Sequence, residues 1–217
     1  MSVMVEQYKF YIITPWYAHG HIMKYIVDVE GVQLKKLMEQ VADGLHFLSQ
    51  YRIIHGDLKG ANVLIDGNGK ALIADLGLSF IQDTTVQEES HTVRDPLAHA
   101  ILRAQCSEAI RSGRLSVSPV SISTLAVTVL SATTSSGGGT FRWMAPERLV
   151  PSAYGLPSAK ATAKSDVYSF GMLMLEVFSG EPPWGKTRNE ANIALSVVSG
   201  NRPPRPSGLP RQFVGDC

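Results

Sequence analysis

Residues 61–74 constrain this chain more tightly than any other stretch. Two short apolar runs, Ala61-Asn-Val-Leu-Ile65 and Lys70-Ala-Leu-Ile-Ala74, flank Asp66-Gly-Asn-Gly69. Apolar runs on either side of a Gly/Asn/Asp cluster read as a β-hairpin, because Gly and Asn accept the left-handed backbone that a tight turn requires. Such a hairpin holds Asn62 and Asp75 at a fixed separation. Two helices are expected around it. Val32, Leu34, Leu37, Met38, Val41, Leu45 and Leu48 recur near a helical period, which predicts a helix over 32–51 that backs the loop ahead of the hairpin. Ser165-Asp-Val-Tyr-Ser-Phe-Gly171, followed by Met172-Leu-Met-Leu-Glu-Val-Phe178, reads as a buried helix capped by Asp166.

The polar residues beside these elements form three motifs. They are His55-Gly-Asp-Leu-Lys-Gly-Ala-Asn-Val-Leu64, Asp75-Leu-Gly77 and Ala145-Pro-Glu147. Taken singly, the first two are a turn with satisfied side chains and a hairpin corner. Taken in order, all three resemble the catalytic loop, the metal-binding loop and the substrate-loop anchor of eukaryotic protein kinases. Two letters depart from that pattern: Gly56 stands where the family has Arg, and Leu76 where it has Phe. Thr140-Phe-Arg-Trp-Met-Ala-Pro-Glu147 resembles the peptide-docking segment of kinases that phosphorylate Ser or Thr. Together with Asp166-Val-Tyr-Ser-Phe-Gly171, it is similar to the tyrosine-kinase-like group of Ser/Thr kinases.

The resemblance implies a chemistry for each residue. Phosphoryl transfer needs a positioned hydroxyl and neutralised charge more than covalent help. Asp57 would accept the substrate hydroxyl, and Lys59 would set an ammonium near the transferring phosphate of ATP. Asn62 and Asp75 would each offer a hard oxygen to Mg2+. Thr140 would hydrogen-bond toward Asp57 and Lys59, and Asp166 would accept backbone N–H groups of the catalytic loop. Residues 8–17 look like the last small-lobe strand and the hinge. Thr14 would then be the gatekeeper of the adenine pocket, with backbone of Pro15 and Tyr17 facing the adenine edge and Leu64 as its floor. The Arg missing at Gly56 normally receives a phosphate on the activation segment, so activity is expected not to require phosphorylation there.

The expected fold is α+β and protein-kinase-like: mainly the helical C-terminal lobe, with one residual small-lobe strand and short β-hairpins. Residues 1–17 would be that strand and the hinge. Residues 18–217 would be an incomplete large lobe with an insertion within 83–139. Asp75 and Glu147 lie roughly twice as far apart as the resemblance leads one to expect. The Ser/Thr/Ala-rich stretch 92–131 reads as an unstructured or non-coding insert rather than a lid, with a short helix possible over 97–110. No G-x-G-x-x-G precedes His55, and no phosphate-pairing strand Lys is recognisable. The chain is therefore expected to be an ATP-dependent Ser/Thr kinase by family, yet inactive alone. The alternative is a pseudokinase-like binding module, or a truncated product without catalysis. Glu147 would also lack the Arg that the family supplies near the end of the large lobe.

Composition narrows the partners. The 217 residues are 44% hydrophobic, enough for one sizeable core, and carry a net charge of +1. That balance gives no footprint for nucleic acid or a membrane surface. Cys106 and Cys217 are too few and too peripheral for a disulfide framework, which points to a reducing, cytoplasmic setting. The expected partners are a protein substrate and ATP.

Overall fold

The computed structural model describes residues 2–6, 9–13, 15–82, 141–186 and 189–210. Expectations that rest on Thr14, on Thr140 or on the insertion within 83–139 lie outside them. All described residues except Gln82 fall in one compact unit, built from 1–81 and 139–217.

The chain opens with an antiparallel pair, β1 (Ser2–Glu6) and β2 (Lys9–Ile13), in which Val3 faces Ile12 and Val5 faces Phe10. One strand was expected here and two are present. The run Ser-Val-Met-Val-Glu carries no clean alternation of polar and apolar residues, so β1 leaves little trace in the sequence.

Helix α1 (Ile22–Asp28) follows, capped by His21, whose Nδ1 accepts the Lys24 N–H at 3.2 Å. Helix α2 (Leu34–Gln50) lies where the periodicity placed it and buries Leu37, Met38 and Val41. Its Gln40 Oε1 accepts the Ala71 N–H at 2.8 Å, and Gly44 lets Ile73 approach so closely that a Cβ would sit 3.0 Å from Ile73 Cδ1. Strand β3 (Ile53–Ile54) leads into the loop at 55–62. The expected hairpin follows as β4 (Val63–Ile65) and β5 (Ala71–Ile73), in the register Val63 to Ile73 and Ile65 to Ala71. Gly69 takes φ 75° at the turn. Asp66 Oδ1 accepts the N–H groups of Asn68 and Lys70, and the Lys70 bond is the largest influence holding the Asp66 carboxyl below its ordinary range. Strand β6 (Phe80–Ile81) returns to pair with β3.

After residue 140, α3 (Pro146–Leu149) is a single turn. Helix α4 (Ala163–Ser179) runs through the middle of the unit, and α5 (Glu190–Val198) packs outside it. The cap of α4 differs from expectation. Thr162 is the N-cap and forms a reciprocal capping box with Ser165, leaving the Asp166 carboxylate free for a tertiary role. One cluster joins these pieces: Ile22 from α1, the three buried residues of α2, Leu58 from the loop, Val63, Ile65 and Ala71 from the hairpin, and Leu173 and Val177 from α4. No described helix is long and apolar enough to cross a membrane.

Candidate active site

The loop at 55–62 is held from three sides. From α4, Asp166 accepts the His55 N–H through Oδ2 at 2.7 Å and the Gly56 N–H through Oδ1 at 2.9 Å. This is the acceptor role that the resemblance implied. From the hairpin, His55, fully buried, reaches the Ala74 carbonyl through Nε2 at 3.0 Å, while its Nδ1 accepts the Asp57 N–H at 3.2 Å. That pairing places the ring proton on Nε2. Ala74 in turn donates its N–H to the Asn62 carbonyl at 2.9 Å. The residue before Asp75 is thus fastened to both ends of the loop.

The third hold is Glu176. Its Oε2 accepts the Gly60 N–H and the Trp143 Nε1–H, each at 2.9 Å, so one carboxylate of α4 joins the loop to the turn at Phe141–Trp143. Burial is the main cause that pushes this carboxyl above its ordinary range, opposed by the two donors and by the Lys59 charge. Gly60 permits the approach, since a Cβ there would meet Met23 Cγ at 2.5 Å and Glu176 Oε2 at 2.9 Å. Sequence reasoning missed Glu176, although a signal exists. It is the one charged residue in the apolar run Met172-Leu-Met-Leu-Glu-Val-Phe178, and a carboxylate on a buried helix face needs donors.

Asp57, Lys59 and Asn62 meet directly. Asp57 is 8% exposed. Its Oδ2 takes Lys59 Nζ at 2.7 Å and Asn62 Nδ2 at 3.1 Å, and Asn62 Nδ2 also donates to the Asp57 carbonyl at 2.7 Å. The other oxygen, Oδ1, is buried with no hydrogen-bond partner among the described residues. Asp75 sits past the hairpin at φ 59°, ψ 68°, a left-handed conformation that Asp adopts more readily than most residues. It caps the turn at Leu76–Leu78 by accepting the Gly77 N–H at 3.3 Å, and it is exposed.

The nucleotide-side residues are less closely assembled. The Tyr17 carbonyl accepts the Gly20 N–H, the Gly20 carbonyl accepts the Ile65 N–H, and His21 bridges Leu64, so the turn at 17–21 docks on β4. Leu64 and Tyr17 are half-buried and Pro15 is exposed. A cleft of about 670 Å3 lined by Leu34, Phe178 and Gly208, and one of about 250 Å3 beside Gly44 and Lys70, are lined by none of Asp57, Asn62 and Asp75.

Two arginines organise the segment after residue 140. Arg142 binds Glu190 Oε1 at 2.7 Å and the carbonyls of Pro183 and Gly185. Arg148 donates through Nη1 to the Gly56 carbonyl at 2.7 Å and through Nε to the Ala159 carbonyl at 3.3 Å. Neighbouring Glu147 forms no ion pair among the described residues.

A family model described as protein tyrosine and serine/threonine kinase matches residues 1–118 and 120–215. Among curated proteins, the receptor-interacting serine/threonine-protein kinase 1 of Homo sapiens is 27% identical over 207 residues, which is 94% of this chain and 25% of that protein. The chain therefore spans about a quarter of the length of this relative.

Proposed function

This chain belongs to the protein tyrosine and serine/threonine kinase family, and from that premise we propose that it serves ATP-dependent phosphoryl transfer to serine or threonine hydroxyls of a protein substrate. The observation that carries the reading is the split environment of Asp57. One carboxylate oxygen is fixed by Lys59 and Asn62, and the other is buried with no hydrogen bond among the described residues. An unsatisfied buried acceptor costs about 1–3 kcal/mol, a cost that a substrate hydroxyl would remove. Asp57 Oδ1 accepts that hydroxyl, orients it in line with the γ-phosphorus, and takes its proton as the new O–P bond forms and the bond to the ADP oxygen breaks.

The donor set beside Asp57 suits Mg2+. Asn62 spends its amide nitrogen on Asp57 and leaves its carbonyl oxygen for a cation, and Asp75 commits one oxygen to Gly77 and keeps the other. Both are hard oxygens of the kind Mg2+ takes, and the ion would neutralise phosphate charge there. Lys59 supplies a further positive charge. Pro15, Tyr17 and Leu64 are proposed to border the adenine, with Thr14 behind them. We assign residues 1–17 to the end of the small lobe and the hinge, and 18–217 to the large lobe with an insertion within 83–139. The sequence through Asp166 and the segment ending at Glu147 favour the tyrosine-kinase-like group. Two cysteines alone favour a reducing intracellular setting.

The test is phosphate transfer by a form of the protein that carries a small lobe upstream of residue 1. Asp57→Asn should lower kcat by about a thousandfold or more with Mg-ATP affinity retained, which is the pattern for loss of a group used in the transition state. Full transfer by Asp57→Asn would overturn the assignment. Mg-ATP binding without transfer in the unsubstituted protein would favour the binding-module alternative.

A further inference from the structure

We infer that Arg148 is a positioning residue that sets the orientation of Asp57 from the segment following residue 140. The inference rests on the kinase reading of the loop. Its physical basis is the peptide unit joining Gly56 to Asp57. The carbonyl of that unit is Gly56 O, which accepts Arg148 Nη1 at 2.7 Å, and its N–H is Asp57 N, which donates to His55 Nδ1 at 3.2 Å. A peptide unit is planar, so fixing both of its polar groups fixes the plane and with it the direction in which the Asp57 Cα presents its carboxylate. The preceding peptide unit is fixed separately by Asp166 through the Gly56 N–H. Without Arg148, the His55 contact is the one hydrogen bond among the described residues that would keep the 56–57 plane from rocking.

Gly56 makes this arrangement possible. It lies at φ 80°, and a Cβ on it would point between the Leu78 carbonyl at 3.3 Å and the Ala161 Cβ at 3.5 Å. Any side chain at position 56 would crowd these two groups from a left-handed backbone, whereas glycine leaves its carbonyl to Arg148 without that cost. Burial is the largest influence on the guanidinium and works against its charge, and the carboxylates of Asp166, Asp57 and Glu147 oppose it. Arg148 follows Ala145-Pro-Glu147 directly, so any movement of the segment that shifts α3 is transmitted to the plane that carries Asp57.

Two readouts separate this role from a purely structural one, and one of them needs no catalysis. Amide hydrogen exchange in Arg148→Gln and Arg148→Lys should rise about tenfold or more at Asp57 N–H in the Gln variant. The Lys variant, which keeps one donor, should rise less, and amides of α5 such as Ile193 should be unchanged in both. In the transferring form of the protein, Arg148→Gln should lower kcat about tenfold while KM for ATP holds, with partial recovery in Arg148→Lys. Unaltered Asp57 exchange in folded Arg148→Gln would overturn the inference. So would an exchange increase spread evenly over the chain in both variants, or a loss carried by KM alone. Absence of transfer in every form would sink the kinase reading and leave the exchange result to decide the role of Arg148.

Discussion

Glu176 illustrates how much a single oxygen can hold. Its Oε2 receives two N–H donors from parts of the chain far apart in sequence, Gly60 in the loop and Trp143 in the turn at Phe141–Trp143. The carboxyl is buried, and burial raises its pKa above the ordinary value of 4.5. A raised carboxyl pKa means that folding favours the protonated form. The stability linked to that form is therefore complete below about pH 4.5 and is lost as the pH rises through the raised value. Glu176→Gln keeps an acceptor oxygen and cannot ionise. The urea midpoint of the natural chain should fall relative to that of Glu176→Gln as the pH climbs above about 4.5, and the difference should level off once Glu176 is ionised. A difference that stays flat, or changes in the natural chain's favour, would show that the site does not prefer the neutral acid. Asp57 stood out in the sequence because its motif is local. Glu176 and Arg148 were not, because each acts on a backbone group far away in sequence that no local pattern announces.

At the scale of elements, the start of α4 separates two tasks that one residue was expected to share. Thr162 and Ser165 cap the helix, and Asp166 reaches across to the loop. Thr162→Ala should cost about 1 kcal/mol of unfolding free energy, the usual worth of an N-cap, with the exchange of His55 and Gly56 amides unaltered. Asp166→Ala leaves two buried N–H groups without their acceptor, at about 1–3 kcal/mol each, and should release both amides. Urea unfolding together with site-resolved exchange checks the pair, and equal loosening of the loop in both variants would contradict the division. Helix α2 and the β4–β5 hairpin were readable because their signals are local: the spacing of Leu37, Met38 and Val41, and the turn built on Asp66 and Gly69. The cap of α4 was misread because Ser-Asp at a helix start satisfies the local rule equally well. Only the distant loop decides which oxygen caps.

For the molecule as a whole, the question is what residues 1–217 can do by themselves. The core cluster draws on α1, α2, the loop, the hairpin and α4, so the residues proposed as base and metal ligands have a scaffold of their own. The phosphate side is different. No G-x-G-x-x-G precedes His55, and β1 pairs only with β2 among the described residues. A two-stranded ribbon is marginal in water and presents open edges, which further strands would cover. Phosphoryl transfer also depends on backbone and ammonium groups that clasp the β- and γ-phosphates, because catalysis here is positioning and charge stabilisation. Residues 1–217 should therefore bind Mg-ATP weakly and transfer no phosphate. A form extended upstream through a small lobe should transfer phosphate and melt at a higher temperature, since the added strands would pair with the ribbon edge. Calorimetry and a radiolabelled ATP assay on the two forms read both effects. Transfer by residues 1–217 that vanishes in Asp57→Ala would refute this expectation, because the large-lobe residues would then suffice to hold the phosphates.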